Sequence, residues 1–165
     1  MTRNEPKPSL SARIGRRILQ TRAIVRAPIV LYRAGLGFIF GHRLLLLEHL
    51  GRKSGQRRYV VLEVVGRSAA GGYLVASGFG AKAQWYRNLV AHPQARIRVG
   101  WSGYLPARAR LLEADETMAV LRGYAEQHPG AWERLRPIFE ETLGADISEA
   151  GTALPMVALE PAPID

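Results

Sequence analysis

Cysteine is absent from the 165 residues, which removes disulfides, zinc–thiolate centres, iron–sulfur clusters and cysteine nucleophiles together. Lysine is nearly absent too, with 3 against 20 arginines. That bias suits a GC-rich genome as readily as selection for guanidinium chemistry. Acids are scarce at the front: up to Arg58 only Glu5 and Glu48 oppose 13 Lys/Arg, whereas 12 acids oppose 10 bases beyond it. The first third therefore holds nearly all of the excess in a net charge of +9, a field that attracts phosphate, anionic lipid or nucleic acid.

Other absences narrow the chemistry. The four histidines (His42, His49, His92, His128) form no H-x-x-x-H or H-x-E pair, so no metal site is expected. No Gly-x-Ser-x-Gly elbow occurs, and Glu140 and Glu141 read as a solvated helix face rather than a glycosidase pair. The polar start, with Pro6 and Pro8, gives no leader pattern. Between Ala27 and Leu50 the apolar residues are interrupted by Arg33, His42, Arg43, Glu48 and His49, so no stretch reaches the ~20 residues of a spanning helix.

What remains is a chain that is 47% apolar, enough for one core. Residues 1–9 read as a tail, and Ser9 or Ser11 can cap a helix to about Ala27, where Pro28 stops it. Leu10, Ile14, Ile18 and Val25 stripe that helix, with Arg13, Arg16, Arg17 and Arg22 largely elsewhere. It either packs on the body with its basic face in water or lies on anionic lipid. The division expected is a basic tail and helix over 1–27 and one domain over 28–165.

From Leu44 the period changes. Apolar or alternating runs predict strands over 44–50, 58–65, 73–77, 95–101, 104–112 and 155–159. Helices are predicted over 82–91, 115–128 and 131–143. About six mostly antiparallel strands of this length should close into a small barrel, because open edges are a liability.

Two segments can carry chemistry. Gly51-Arg52-Lys53-Ser54-Gly55-Gln56-Arg57-Arg58 puts two glycines around a turn that can bring backbone N–H groups, the charges of Lys53, Arg57 and Arg58 and the Ser54 hydroxyl to an anion. It is not a Walker loop, whose lysine follows the second glycine; a plain hairpin with solvated charges is the alternative. The second is Ala76-Ser77-Gly78-Phe79-Gly80 leading into a helix with Trp85 and Asn88. A helix start there suits a phosphate or a ring edge; Trp85 is either a stacking plane or core, and Asn88 can bond a buried group or cap a neighbour. Glu63, on an apolar strand, faces out or pairs with an arginine. An anion cradle and an aromatic plane without acid–base machinery suit hydride transfer, where the cofactor carries the chemistry.

Three blocks, Gly51–Arg58, Tyr73–Ser77 and Trp85–Pro93, in this order and at this spacing, resemble the deazaflavin-dependent nitroreductase family, the F420H2-dependent quinone reductases. The end, Pro155 to Pro161, is similar to that family's closing strand, and the resemblance covers about residues 40 to 161. It implies a mainly β split barrel with helices, of the FMN-binding type. It also implies coenzyme F420 (FMN being the alternative) and hydride transfer to a lipophilic quinone, enone or nitroaromatic. Arg52, Lys53, Ser54, Gly55, Gln56 and Arg58 would hold the phosphate and tail. Ala76, Ser77, Gly78, Lys82, Trp85 and Asn88 would surround the ring, and Tyr124, His128 and Trp132 would line the acceptor pocket. No protein residue is assigned the hydride step. The resemblance further implies a cytoplasmic enzyme, peripheral on the inner face of the membrane through its N-terminus, and a homodimer; nucleic acid is not an expected partner. Alternatives are a non-catalytic F420 or lipid carrier and an FMN-binding reductase. One departure stands out: where the family has lysine after Ala-Ser, this chain has Gly78, and the nearest cation is Lys82.

Overall fold

The leucines that open the body are extended because each alternate side chain has a core to enter. In the computed structural model, which describes residues 41–147, 152 and 154–163 with Ile29 alone before them, strand β1 (Leu44–Leu50) places Leu45 and Leu47 inside a barrel. The predicted helix over 9–27, and with it the proposed first unit, lies outside the described residues. Beyond β1 come β2 (Arg57–Arg67), β3 (Tyr73–Ala76), helix α1 (Gln84–Ala91), β4 (Gln94–Val99), β5 (Leu105–Leu111), helices α2 (Ala114–Gln127) and α3 (Pro129–Leu143), and β6 (Met156–Pro161).

All neighbours pair antiparallel in the closed order β1-β2-β3-β6-β5-β4. Closure leaves no edge among them, as the strand count and length predicted. Leu45, Leu47, Val75, Ile97, Val99, Val157 and Leu159 fill the interior, joined by Trp85 and Leu89 from α1. A second cluster of Leu121, Ile147, Leu154 and Met156, flanked by Val65, Ala76, Trp132 and Phe139, seats α2 and α3 on the outer wall.

Three boundaries shift for local reasons. Strand β4 ends at Val99 rather than 101 because Gly100 turns at φ +55° and Ser102 bonds back to Val99. Helix α2 starts at Ala114 on a reciprocal cap between Glu113 and Glu116. Helix α3 starts at Pro129, whose fixed φ suits the first helical position.

Antiparallel pairing fixes which connections share a barrel end. The β1–β2 turn, the β3–α1 connection and the starts of β4 and β6 lie at one end. The β2–β3 and β4–β5 turns lie at the other, with Gly41 and the start of β1. Among the described residues no helix is long and apolar enough to cross a membrane, and no cluster of His, Asp or Glu could hold a metal.

Candidate functional site

The β1–β2 turn folds as the glycines ask. Gly55 takes φ +64°, a left-handed conformation that glycine adopts without strain, and its N–H donates to the Gly51 carbonyl at 2.7 Å. Gly51 N–H donates to Gln56 O at 2.8 Å, Ser54 N–H to Gly51 O at 3.2 Å, and Gln56 N–H to Ser54 Oγ at 3.3 Å. These donors are engaged within the turn. Those four N–H groups are therefore not open to an anion, and the turn presents the Lys53 and Arg58 side chains to the cleft.

Asn88 ties this turn to α1. Its Oδ1 accepts from Arg52 N–H at 3.1 Å and from the Arg52 guanidinium at 3.0 Å, while Nδ2 lies 3.2 Å from His49 Nδ1. Because the amide nitrogen can only donate, His49 Nδ1 accepts and the ring proton sits on Nε2. Arg52 also donates to Gln84 Oε1 at 2.9 Å. Asn88 and His49 are 5% and 4% exposed.

Around this hub opens a cleft of about 930 Å³, lined by Arg52, Lys53, Ser54, Arg58, Lys82, Trp85 and Asn88 among the sequence-predicted residues. His49, Tyr59, Val60, Phe79, Ala83, Gln84 and Thr142 line it as well. Among the described residues four cations line it and no carboxylate does. Val60, Phe79, Ala83 and Trp85 add apolar surface to it. The first turn of α1 has no side-chain cap, since Ala83 precedes it, so its N–H groups add to the anion-attracting field.

Other predicted residues sit elsewhere. Gly55 and Gln56 belong to the turn but do not line the cleft. Ser77 is buried, its hydroxyl donating to the Gly80 carbonyl at 2.7 Å, so it braces the 3₁₀ turn Gly80–Lys82. Ala76 packs in the second cluster, and Phe139 of α3 crowds Gly78 so closely that a Cβ there would fall 2.9 Å from it. Tyr124 and His128 line a separate cavity of about 380 Å³ with Arg43, Glu63 and Arg134, and Trp132 packs in the second cluster. The two cavities share no lining residue. Helix α3 runs from the second to the first, and Gly130 and Thr142 stand roughly 18 Å apart along it at 1.5 Å per residue.

Glu63 is both outward-facing and paired: Tyr124 Oη donates to it at 3.2 Å and Arg43 stands 3.7 Å away. Burial first, then the Glu63 charge, pushes the Tyr124 phenol above its ordinary range.

His49 and Thr142 escaped the sequence. His49 ends an apolar strand and looks like filler there, and Thr142 arrives from a distant helix. Burial pulls the His49 imidazole from 6.5 to about 4, against a hydrogen bond at the Leu50 backbone, and the Arg58 charge lowers it further. The unfolded chain therefore binds more protons between these values. The contribution of neutral His49, about 3 kcal/mol for such a shift, is complete above pH 6.5 and drains away towards pH 4. Urea unfolding of the wild type should weaken across that window, and a His49→Gln variant should show a flatter profile.

The family profile described as F420H(2)-dependent quinone reductase matches residues 26–134, which include every cleft residue except Thr142. A Mycobacterium tuberculosis protein, Rv3178, named as an F420H(2)-dependent quinone reductase, is 39% identical over 87 residues, covering 51% of this chain and 71% of its own. Among solved structures, an F420-H2 dependent reductase (FDR-A) superposes with TM-score 0.52 at 27% identity, over 73% of this chain and 96% of its own. The Vibrio cholerae heme storage protein HutZ superposes with TM-score 0.50 at 16% identity, over 83% and 90%, and shows the shared fold alone. Four cations together with apolar and aromatic surface in one cleft suit a ligand with an anionic tail and a flat ring, as coenzyme F420 has. The chain belongs to the F420H(2)-dependent quinone reductase family and is an oxidoreductase whose cofactor is coenzyme F420.

Proposed function

We propose that the chain reduces a small lipophilic acceptor, a quinone or an enone, with nitroaromatics taken incidentally. The observation that carries this is one cleft that holds four cations together with the apolar surface of Val60, Phe79, Ala83 and Trp85. Bound reduced F420 supplies the hydride. The residues bind and orient: Lys53, Arg58 and Lys82 hold the phosphate and carboxylates of the tail, and Arg52, fixed by Asn88, shapes the turn. Trp85 and Val60 exclude water from the ring face, so that an acceptor can be held in contact.

The acceptor sits against Tyr59, Val60, Phe79 and Thr142, which line the same cleft. Tyr124 and His128 line the other cavity, too far away for a transfer that needs reacting atoms ~3–3.5 Å apart.

A fluorescence titration with F420 tests the cleft. Lys53→Ala and Arg58→Ala should each weaken binding about 5–150-fold, the loss of one charge-assisted contact of about 1–3 kcal/mol. Native affinity in both variants, or no saturable uptake by the wild type, overturns the assignment. Steady oxidation of reduced F420 by menadione then tests the acceptor class.

A further inference from the structure

A second cavity, about 380 Å³, opens at the α2–α3 junction on parts of the chain that the cofactor cleft does not use. Arg43, just before β1, and Glu63 of β2 line it together with Tyr124, His128 and Arg134 of the helical hairpin. Main-chain bonds hold these parts in place. Val64 N–H donates to Arg43 O at 2.8 Å, fastening the approach to β1 onto β2. His128 N–H donates to Tyr124 O at 2.8 Å. The His128 carbonyl accepts from Ala131 N–H at 3.0 Å and from Trp132 N–H at 2.9 Å, so one residue closes α2 and opens α3.

The charges there are unevenly matched. Glu63 is already engaged, its Oε1 taking the Tyr124 phenol at 3.2 Å and the Arg43 guanidinium at 3.7 Å. Among the described residues Glu63 is the one carboxylate lining the cavity, so Arg134, exposed in the second turn of α3, has no counter-charge there. Two guanidiniums against one carboxylate leave a balance of one positive charge. Flat surface accompanies it. The Tyr124 and His128 rings lie 5.1 Å apart, tilted by 55°, and Val64 and Pro129 add apolar atoms.

We propose that this cavity is a binding site for a small aromatic carboxylate, separate from the cofactor and its acceptor. The Arg134 guanidinium offers a planar fork that takes a carboxylate in two parallel hydrogen bonds. The ring of the acid packs on Tyr124 and His128, in the offset or edge contacts that aromatic pairs favour. The volume falls within the ~300–1,000 Å³ of small-molecule sites. Glu63 sets the charge limit: the balance accepts a single negative charge, and a second meets repulsion. F420, with its several anionic groups, is thereby directed to the cleft, where among the described residues four cations stand and no carboxylate does.

Benzoate is the probe, used with the full chain. Calorimetry and saturation-transfer NMR should show saturable benzoate binding that salt weakens and that added F420 leaves unchanged. Benzamide, the same shape without the charge, should bind about tenfold more weakly, and inorganic phosphate, charge without a ring, should displace benzoate poorly. Arg134→Gln should lower benzoate affinity roughly tenfold. Arg134→Lys, which keeps the charge but not the fork, should recover part of that loss. Both variants should melt and bind F420 as the wild type does, since Arg134 is exposed and does not line the cleft. That separates this result from any failure of the cleft assignment. No saturable benzoate binding, equal affinity for benzamide, undiminished binding by Arg134→Gln, or displacement of benzoate by F420 overturns the site.

Discussion

Replacing Asn88 with leucine is expected to cost about 3–5 kcal/mol of stability and to lower F420 affinity more than tenfold. Leucine matches the volume and removes the bonds: the Arg52 N–H and guanidinium lose their acceptor, and His49 Nδ1 loses its donor. Each buried group left unpaired costs about 1–3 kcal/mol. The Arg52 side chain recovers part of this by leaning on Gln84; the backbone N–H cannot move. Asn88→Asp separates the two effects. It still accepts from Arg52, so the fold should hold better, while a carboxylate in the cleft that Lys53 and Arg58 line should repel an anionic tail. Urea unfolding and F420 titration read both. Native affinity in Asn88→Leu would show that α1 does not position the β1–β2 turn.

Gly72→Ala is expected to be the most damaging single methyl group in the barrel, at about 3–5 kcal/mol, above the usual range for overpacking. A Cβ there would lie 2.6 Å from Leu159 O and 2.9 Å from the Glu160 Cα, both main-chain atoms of β6. Backbone paired in a closed sheet cannot step aside as a side-chain tip can. Gly71 next door is the control: with φ +80° and nothing within 4 Å of a built Cβ, Gly71→Ala should cost only about 1–2 kcal/mol of left-handed strain. Equal melting of the two variants would refute the clash.

The barrel was legible because its strands are short apolar or alternating runs between glycine turns; all six appear within about two residues of the expected bounds. Much of the cleft was legible too, since the cations Arg52, Lys53, Arg58 and Lys82 and the ring of Trp85 sit in two dense local blocks that the fold brings to one barrel end. Less local facts were not. His49 and Asn88 meet across 39 residues, and no periodicity reports that contact. Ser77 points its hydroxyl at its own turn, which depends on a 3₁₀ turn the glycines alone do not announce. Tyr124 and His128 are near the α2–α3 junction in sequence, but sequence does not say at which end of the body a helical hairpin turns back.

Helix α3 has no fully buried residue and holds the cleft through its last turns, where Phe139 rests on Gly78, Leu143 on Gly80 and Thr142 borders the opening. This border of the opening thus comes from a stretch of chain remote from the β1–β2 turn that carries Arg52, Lys53 and Arg58. Substitutions in those few helical positions are expected to reshape the opening while leaving that turn untouched.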